Sequence, residues 1–148
     1  MKKQRENALK RIIKNVKFDN FKGYQPYNDF KIVTDKFCLV AIKEENMTPF
    51  EVMQAKYDYL WLLTYDTSNQ VQVNYEDLKA FYKLNNKEKD IGKRLYNING
   101  SKYDIKLLKN VIDIIGETEK VYYLGNTSPL YFENNEGEIG LVLPVRTF

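Results

Sequence analysis

The sequence predicts an α+β fold, with helices packed on one face of antiparallel β-sheets. Three observations lead there. Strand-like runs come in pairs around short turns instead of alternating singly with helices. Two segments, near residues 1–17 and 105–115, carry apolar residues at helical spacing. The 148 residues are 43% hydrophobic and 29% charged, enough to bury one core without disulfides or metal.

The first segment places Ala8, Leu9, Ile12, Ile13 and Val16 at i, i+3, i+4, i+7 positions, the pattern of one buried helix face. Lys3, Asn7, Lys10, Lys14 and Lys17 form the opposite stripe, which reads as one-signed and without i,i+4 acid partners. Residues 18–30 space aromatics three apart (Phe18, Phe21, Tyr24, Tyr27, Phe30), and Gly23 and Pro26 break any helix. An extended connection capping the core is expected there; a base-stacking surface is the less favoured alternative. Residues 31–43 predict a hairpin, with Ile32-Val33 and Leu39–Ile42 flanking the turn Thr34-Asp35-Lys36-Phe37.

Thr48-Pro49 can open a short helix, Tyr57–Tyr65 suits a buried strand, and 66–69 a turn. Val71 and Val73 alternate as a short strand. Asn74 can cap a helix whose first turn holds Glu76 and Asp77 and whose apolar face is Leu78, Phe81 and Tyr82. Leu95, Tyr96 and Ile98 predict a strand before the Asn99-Gly100 turn. Ser101 and Asp104 approximate a capping box for a helix through Ile105–Ile115, stopped by Gly116, with Lys102, Lys106, Lys109 and Asp113 as its exposed stripe. Three strands follow, Val121–Leu124, Leu130–Glu133 and Glu138–Val145, with Pro144 pointing to an edge or terminal position for the last.

Net charge is +3, but residues 1–17 carry +6 and the remainder −3, so the basic character belongs to one end. Histidine is absent and Cys38 is the single cysteine. No Ser-His-Asp triad, Cys-His dyad or His-based metal site can form within one chain, and no internal disulfide, so a cytoplasmic setting is expected. No apolar run approaches the ~20 residues of a membrane span. The acidic pairs Glu44/Glu45 and Glu136/Glu138 read as loop residues. Asp35, Asp58 and Asp66 are the acids a carboxylate-only magnesium site would need. Cys38, in an apolar run, reads as a small buried hydrophobe. An enzyme is therefore disfavoured, and no cofactor or metal is expected. The abundance of Lys, Asn, Ile and Tyr, with their AT-rich codons, points to a low-GC bacterium or a phage.

From Tyr103 to Arg146 the chain resembles the end of a bacterial DNA polymerase III β sliding clamp. The residues that carry the resemblance are Tyr103-Asp104-Ile105-Lys106-Leu107-Leu108, the hairpins between Val121 and Phe132, and the closing Leu141-Val142-Leu143-Pro144-Val145-Arg146. Val33-Thr34-Asp35-Lys36-Phe37-Cys38-Leu39 is similar to the family's Thr-Asp-Gly hairpin, with Lys36 in place of the glycine. The family carries three such domains per chain. This sequence has room for one, spanning 1–148, with a divergent or inserted middle at about 44–100.

The resemblance implies helices facing duplex DNA and sheets outside. The basic stripes would attract phosphate without reading sequence. The candidate DNA-binding residues are Lys3, Lys10, Arg11, Lys14, Lys17, Lys102, Lys106 and Lys109. It also implies a hydrophobic pocket for peptides of replication proteins, at Thr34, Phe37, Leu39, Leu143, Pro144, Val145 and Arg146; the favoured alternative is that Leu39, Leu141 and Leu143 are simply core strand residues. The function expected is non-catalytic binding by a self-associating clamp-like protein of a phage or mobile element. The alternative is a small interaction or inhibitor protein that targets a host protein and does not encircle DNA.

Overall fold

The structure is a computed structural model, and it describes residues 2–15, 25–27, 29–35, 37–43, 70–125 and 128–145. The chain opens with helix α1 (Lys2–Lys14). Strands β1 (Gln25–Tyr27), β2 (Phe30–Thr34) and β3 (Cys38–Lys43) follow. After β4 (Val71–Gln72) come helix α2 (Tyr75–Asn85) and a 3-10 turn at Ile91–Arg94. A hairpin of β5 (Leu95–Ile98) and β6 (Ser101–Asp104) leads into helix α3 (Ile105–Ile115). Strands β7 (Lys120–Tyr123), β8 (Leu130–Glu133) and β9 (Ile139–Val142) complete the fold.

Seven strands form one antiparallel sheet in the order β1-β2-β3-β9-β8-β7-β4. Its centre is the β3–β9 pairing, Cys38 opposite Val142 and Ala41 opposite Ile139, which joins the two ends of the sequence. Alternation along each strand sends one set of side chains to each face. Val33, Cys38, Val40, Ile42, Val121, Leu130, Phe132 and Val142 point to the helices and form the main core with Ala8, Leu9 and Ile12 of α1 and Leu108, Val111 and Ile114 of α3. The other face holds a smaller cluster, Ile32, Leu39, Ala41 and Leu141, with Phe30, Tyr131 and Ile139 against it. α1 lies against α3 and β2, α3 also covers β3 and β9, and α2 contacts α3. The helices thus occupy one face of the antiparallel sheet, as expected from sequence.

Several local expectations change. The helix at 105–115 is capped by Asp104 alone, whose carboxylate accepts from the Lys106 N–H at 2.9 Å. Ser101 is not part of a capping box. The Asn99-Gly100 turn, with both residues at positive φ, folds 101–104 back onto 95–98 as a strand. Tyr103 is consequently fully buried, its hydroxyl donating to the Ser128 carbonyl at 2.9 Å. The last strand is shorter than 138–145 and central instead of at an edge. Pro144 lies beyond its end, where the chain crosses to β6 through a hydrogen bond from the Val145 N–H to the Lys102 carbonyl. The Gln25–Tyr27 part of the expected extended connection is a strand; residues 18–24 and the expected elements within 44–69 lie outside the described residues.

Candidate nucleic-acid interface

Helices α1 and α3, about ninety positions apart in sequence, lie side by side with a groove between them. It has a volume of ≈ 450 Å³ and is lined by Arg11, Lys14, Asn15, Lys106, Leu107, Lys109 and Asn110. The apolar faces of both helices are committed to the core, so their polar faces turn outward together. Four of the eight expected DNA-binding residues, Arg11, Lys14, Lys106 and Lys109, meet here. Lys3 and Lys10 are exposed on the same helix. Lys102 does not join them, because it sits on β6 and not on α3. Lys17 lies outside the described residues.

The charges are less one-signed than the sequence suggests. Lys10 has an i,i+4 partner after all, Glu6 at 3.2 Å. Arg5 makes a two-pronged ion pair with Glu138, at 3.0 and 3.1 Å. Arg11 donates from Nε to Asn110 Oδ1 at 2.8 Å and from Nη2 to Asp113 Oδ2 at 2.9 Å. Lys109 sits 3.3 Å from the same Asp113 oxygen and 5.6 Å over the Tyr82 ring. The Tyr82 side chain first, and then the Asp113 charge, hold the Lys109 ammonium above its usual range against the opposing effect of burial. Among the described residues, Lys14 and Lys106 have no ion-pair partner. Asn110 is 8% exposed, and its side-chain oxygen accepts from Arg11 at the edge of the groove.

The second expected site gathers at one end of the sheet. The Leu143 N–H donates to the Phe37 carbonyl at 2.9 Å, so the β2–β3 turn and the segment after β9 are adjacent. Phe37 is 51% exposed, whereas Thr34 and Leu39 are each 2% exposed. Leu39 pairs with Leu141 in the outer cluster, which makes it a core residue. The Thr34 hydroxyl is spent on the Cys38 carbonyl at 2.6 Å. Leu143, Pro144 and Val145 are half-buried, and Arg146 lies outside the described residues.

Asp35 is a turn-former in the structure. Its Oδ1 accepts the Phe37 and Cys38 N–H groups at 2.9 and 2.8 Å, and its Oδ2 accepts from Asn15 at 3.0 Å. Asp58 and Asp66 lie outside the described residues, within which no metal-ligand cluster occurs. Cys38 is buried, as expected, and burial followed by the Asp35 charge pushes its thiol well up.

The sequence matches no family model and no curated protein. Solved structures do share its architecture. The DNA polymerase III β subunit of Borrelia burgdorferi, in complex with a natural product, superposes with a TM-score of 0.63 at 11% identity over 99% of this chain. The sliding clamp of Bacillus subtilis gives 0.60 at 12% identity over 99%. The β subunit of Thermotoga maritima gives 0.54 at 14% over 97%. The chain has a sliding-clamp-like fold. It spans 63% of the length of each of those clamp chains.

The residues that build this clamp-like fold include several that sequence reasoning passed over. Glu138, read as a loop acid, is fully buried. Its carboxylate accepts from Arg5, from the Lys43 N–H at 3.0 Å and from Asn134 Nδ2 at 3.0 Å, tying α1, β3 and the β8–β9 turn together. Burial pushes this carboxyl up, but the Arg5 and Asn134 hydrogen bonds, the Arg5 charge and the Lys43 N–H outweigh it and hold it below its ordinary value. Asn134 also caps its own turn, its Oδ1 accepting from the Glu136 and Glu138 N–H groups at 3.0 Å. The available signal was Asn134 followed by Gly137, a turn with a side-chain acceptor. Nothing in the sequence links Glu138 to Arg5. Among the described residues no helix is long and apolar enough to cross a membrane.

Proposed function

We propose that this chain is a non-catalytic binding protein that contacts duplex DNA through the α1–α3 groove. The observation that carries this reading is the convergence of Arg11, Lys14, Lys106 and Lys109 on one open groove, with Lys14 and Lys106 free of acidic partners among the described residues. Flexible ammoniums on an outward helical face suit a phosphate backbone and do not discriminate between bases. The clamp-like fold supports the same role, and with it self-association and contacts to replication proteins in the cytoplasm, by one clamp-like domain over 1–148 with a divergent or inserted middle at about 44–100. Lys3, Lys10, Lys17 and Lys102 would extend the contact.

Duplex-DNA affinity at two salt concentrations, with light scattering for mass, tests it. Log affinity should fall with log salt, and K14Q/K106Q should reduce the slope by about 1.8, at about 0.9 per lost phosphate contact. A wild-type chain with no salt-sensitive affinity overturns the reading.

A second reading is favoured by Phe37. A 51% exposed ring beside half-buried Leu143, Pro144 and Val145 offers an apolar anchor for a peptide of a replication or host protein. In that case the chain acts as a small interaction or inhibitor protein of phage or mobile-element type. Phe37→Ala should then abolish partner capture and leave DNA affinity unchanged.

A further inference from the structure

Four cations line the α1–α3 groove, and one carboxylate divides them. Asp113 is in the last turn of α3, where the helix dipole disfavours an acid. Its side chain is 7% exposed, and both oxygens are occupied. Oδ1 accepts from Gln4 at 2.8 Å, and Oδ2 meets Arg11 at 2.9 Å and Lys109 at 3.3 Å. Arg11 and Lys109 remain 42% and 40% exposed, so both could reach an anion in the groove if they were released.

We infer that Asp113 is a positioning residue that sets how many phosphates the groove can take, holding Arg11 and Lys109 in ion pairs and leaving Lys14 and Lys106 to the ligand. An incoming phosphate must compete with a carboxylate already in contact with two of the four cations, and it meets that carboxylate's repulsion as well. The groove thus grips a polyanion weakly and releases it readily, a property a protein moving along a backbone needs. The inference rests on the groove being the anion-binding face.

The test compares wild type, Asp113→Asn and Gln4→Ala. Gln4→Ala removes a neutral hydrogen bond from the same carboxylate and frees no cation. Each is titrated with a duplex at several salt concentrations and, separately, with inorganic pyrophosphate followed by the amide resonances of Lys106–Asn110. Asp113→Asn should steepen the DNA salt slope by about 0.9 to 1.8, one increment of 0.9 per released cation. It should tighten pyrophosphate about threefold, the effect of removing one nearby charge in a solvated groove. Gln4→Ala should lower thermal stability and change neither quantity. If Asp113→Asn only lowers stability, with slope and pyrophosphate affinity unchanged, or if no variant binds pyrophosphate, the inference fails. Tighter pyrophosphate binding without any DNA affinity supports the inference and instead sinks the nucleic-acid reading.

Discussion

At the scale of single residues, Glu138 and Gly140 show how much one position can hold. Glu138 is a buried carboxylate with four donors drawn from α1, β3 and the turn before β9. Replacing it by glutamine keeps the shape and leaves the Arg5 guanidinium, 19% exposed, without its counter-charge. Glu138→Gln should cost about 3–5 kcal/mol in a denaturant titration. The sign of the pH effect follows from the lowered carboxyl value. Glu138 stabilises the fold above its ordinary value of 4.5, and that contribution is lost as pH falls through the lower folded value. The stability gap between wild type and Glu138→Gln should therefore close in acid; a gap that persists undiminished would assign the effect to packing. Gly140 faces α3, where an added Cβ would overlap Val111 Cγ1 and lie 3.0 Å from Ile115 Cγ1. Gly140→Ala should cost about 1–3 kcal/mol by pushing α3 off β9, measured as a fall in unfolding midpoint. Neither position could be singled out from sequence, since an acid after a glycine and a glycine in a strand each have many innocent readings.

At the scale of elements, local chemistry predicted well wherever it was self-contained. Asn74 caps α2 by accepting the Glu76 and Asp77 N–H groups at 2.9 and 3.2 Å, as its position before an amphipathic run implies. The apolar period at 105–115 marks α3 for the same reason. The error at its start is instructive, because Ser101 and Asp104 both satisfy a capping pattern and only the hairpin register decides between them. Once Asn99-Gly100 pairs Leu95 with Asp104, Ser101 is committed to a strand. Asp104→Ala should cost about 1 kcal/mol through loss of the cap, while Ser101→Ala, with a hydroxyl 3.3 Å from that of Tyr123, should leave the helicity of α3 unchanged by circular dichroism. The exposed basic stripe of α1 was equally legible. Its ion pairs divide by distance: Glu6, four residues before Lys10, is a local partner that residue order does carry, whereas Asp113, the partner of the neighbouring Arg11, lies about a hundred residues away.

At the scale of the whole molecule, α1 is an integral part of the core. Ala8, Leu9 and Ile12 are 0% exposed and close the main core over the sheet. Leu9→Ala should cost about 2–5 kcal/mol and unfold the chain as one unit, checked by coincidence of fluorescence and far-ultraviolet transitions. A helix that frays independently, with the sheet intact, would contradict this. The same packing fixes where the charge of the N-terminal segment goes. Arg5 is drawn inward to Glu138, while Lys14 remains on the groove.

Periodicity, turn residues and capping chemistry are local, and residue order alone carries them. From these came the α+β class, the helix faces, the hairpins and the expectation of a basic surface. Which strands become neighbours is not local: the β3–β9 pairing, the burial of Glu138 against Arg5 and the meeting of Lys14 with Lys106 all join residues from distant parts of the chain. Only the tertiary structure decides these, because the free energy of each such contact depends on which other surfaces are buried at the same time.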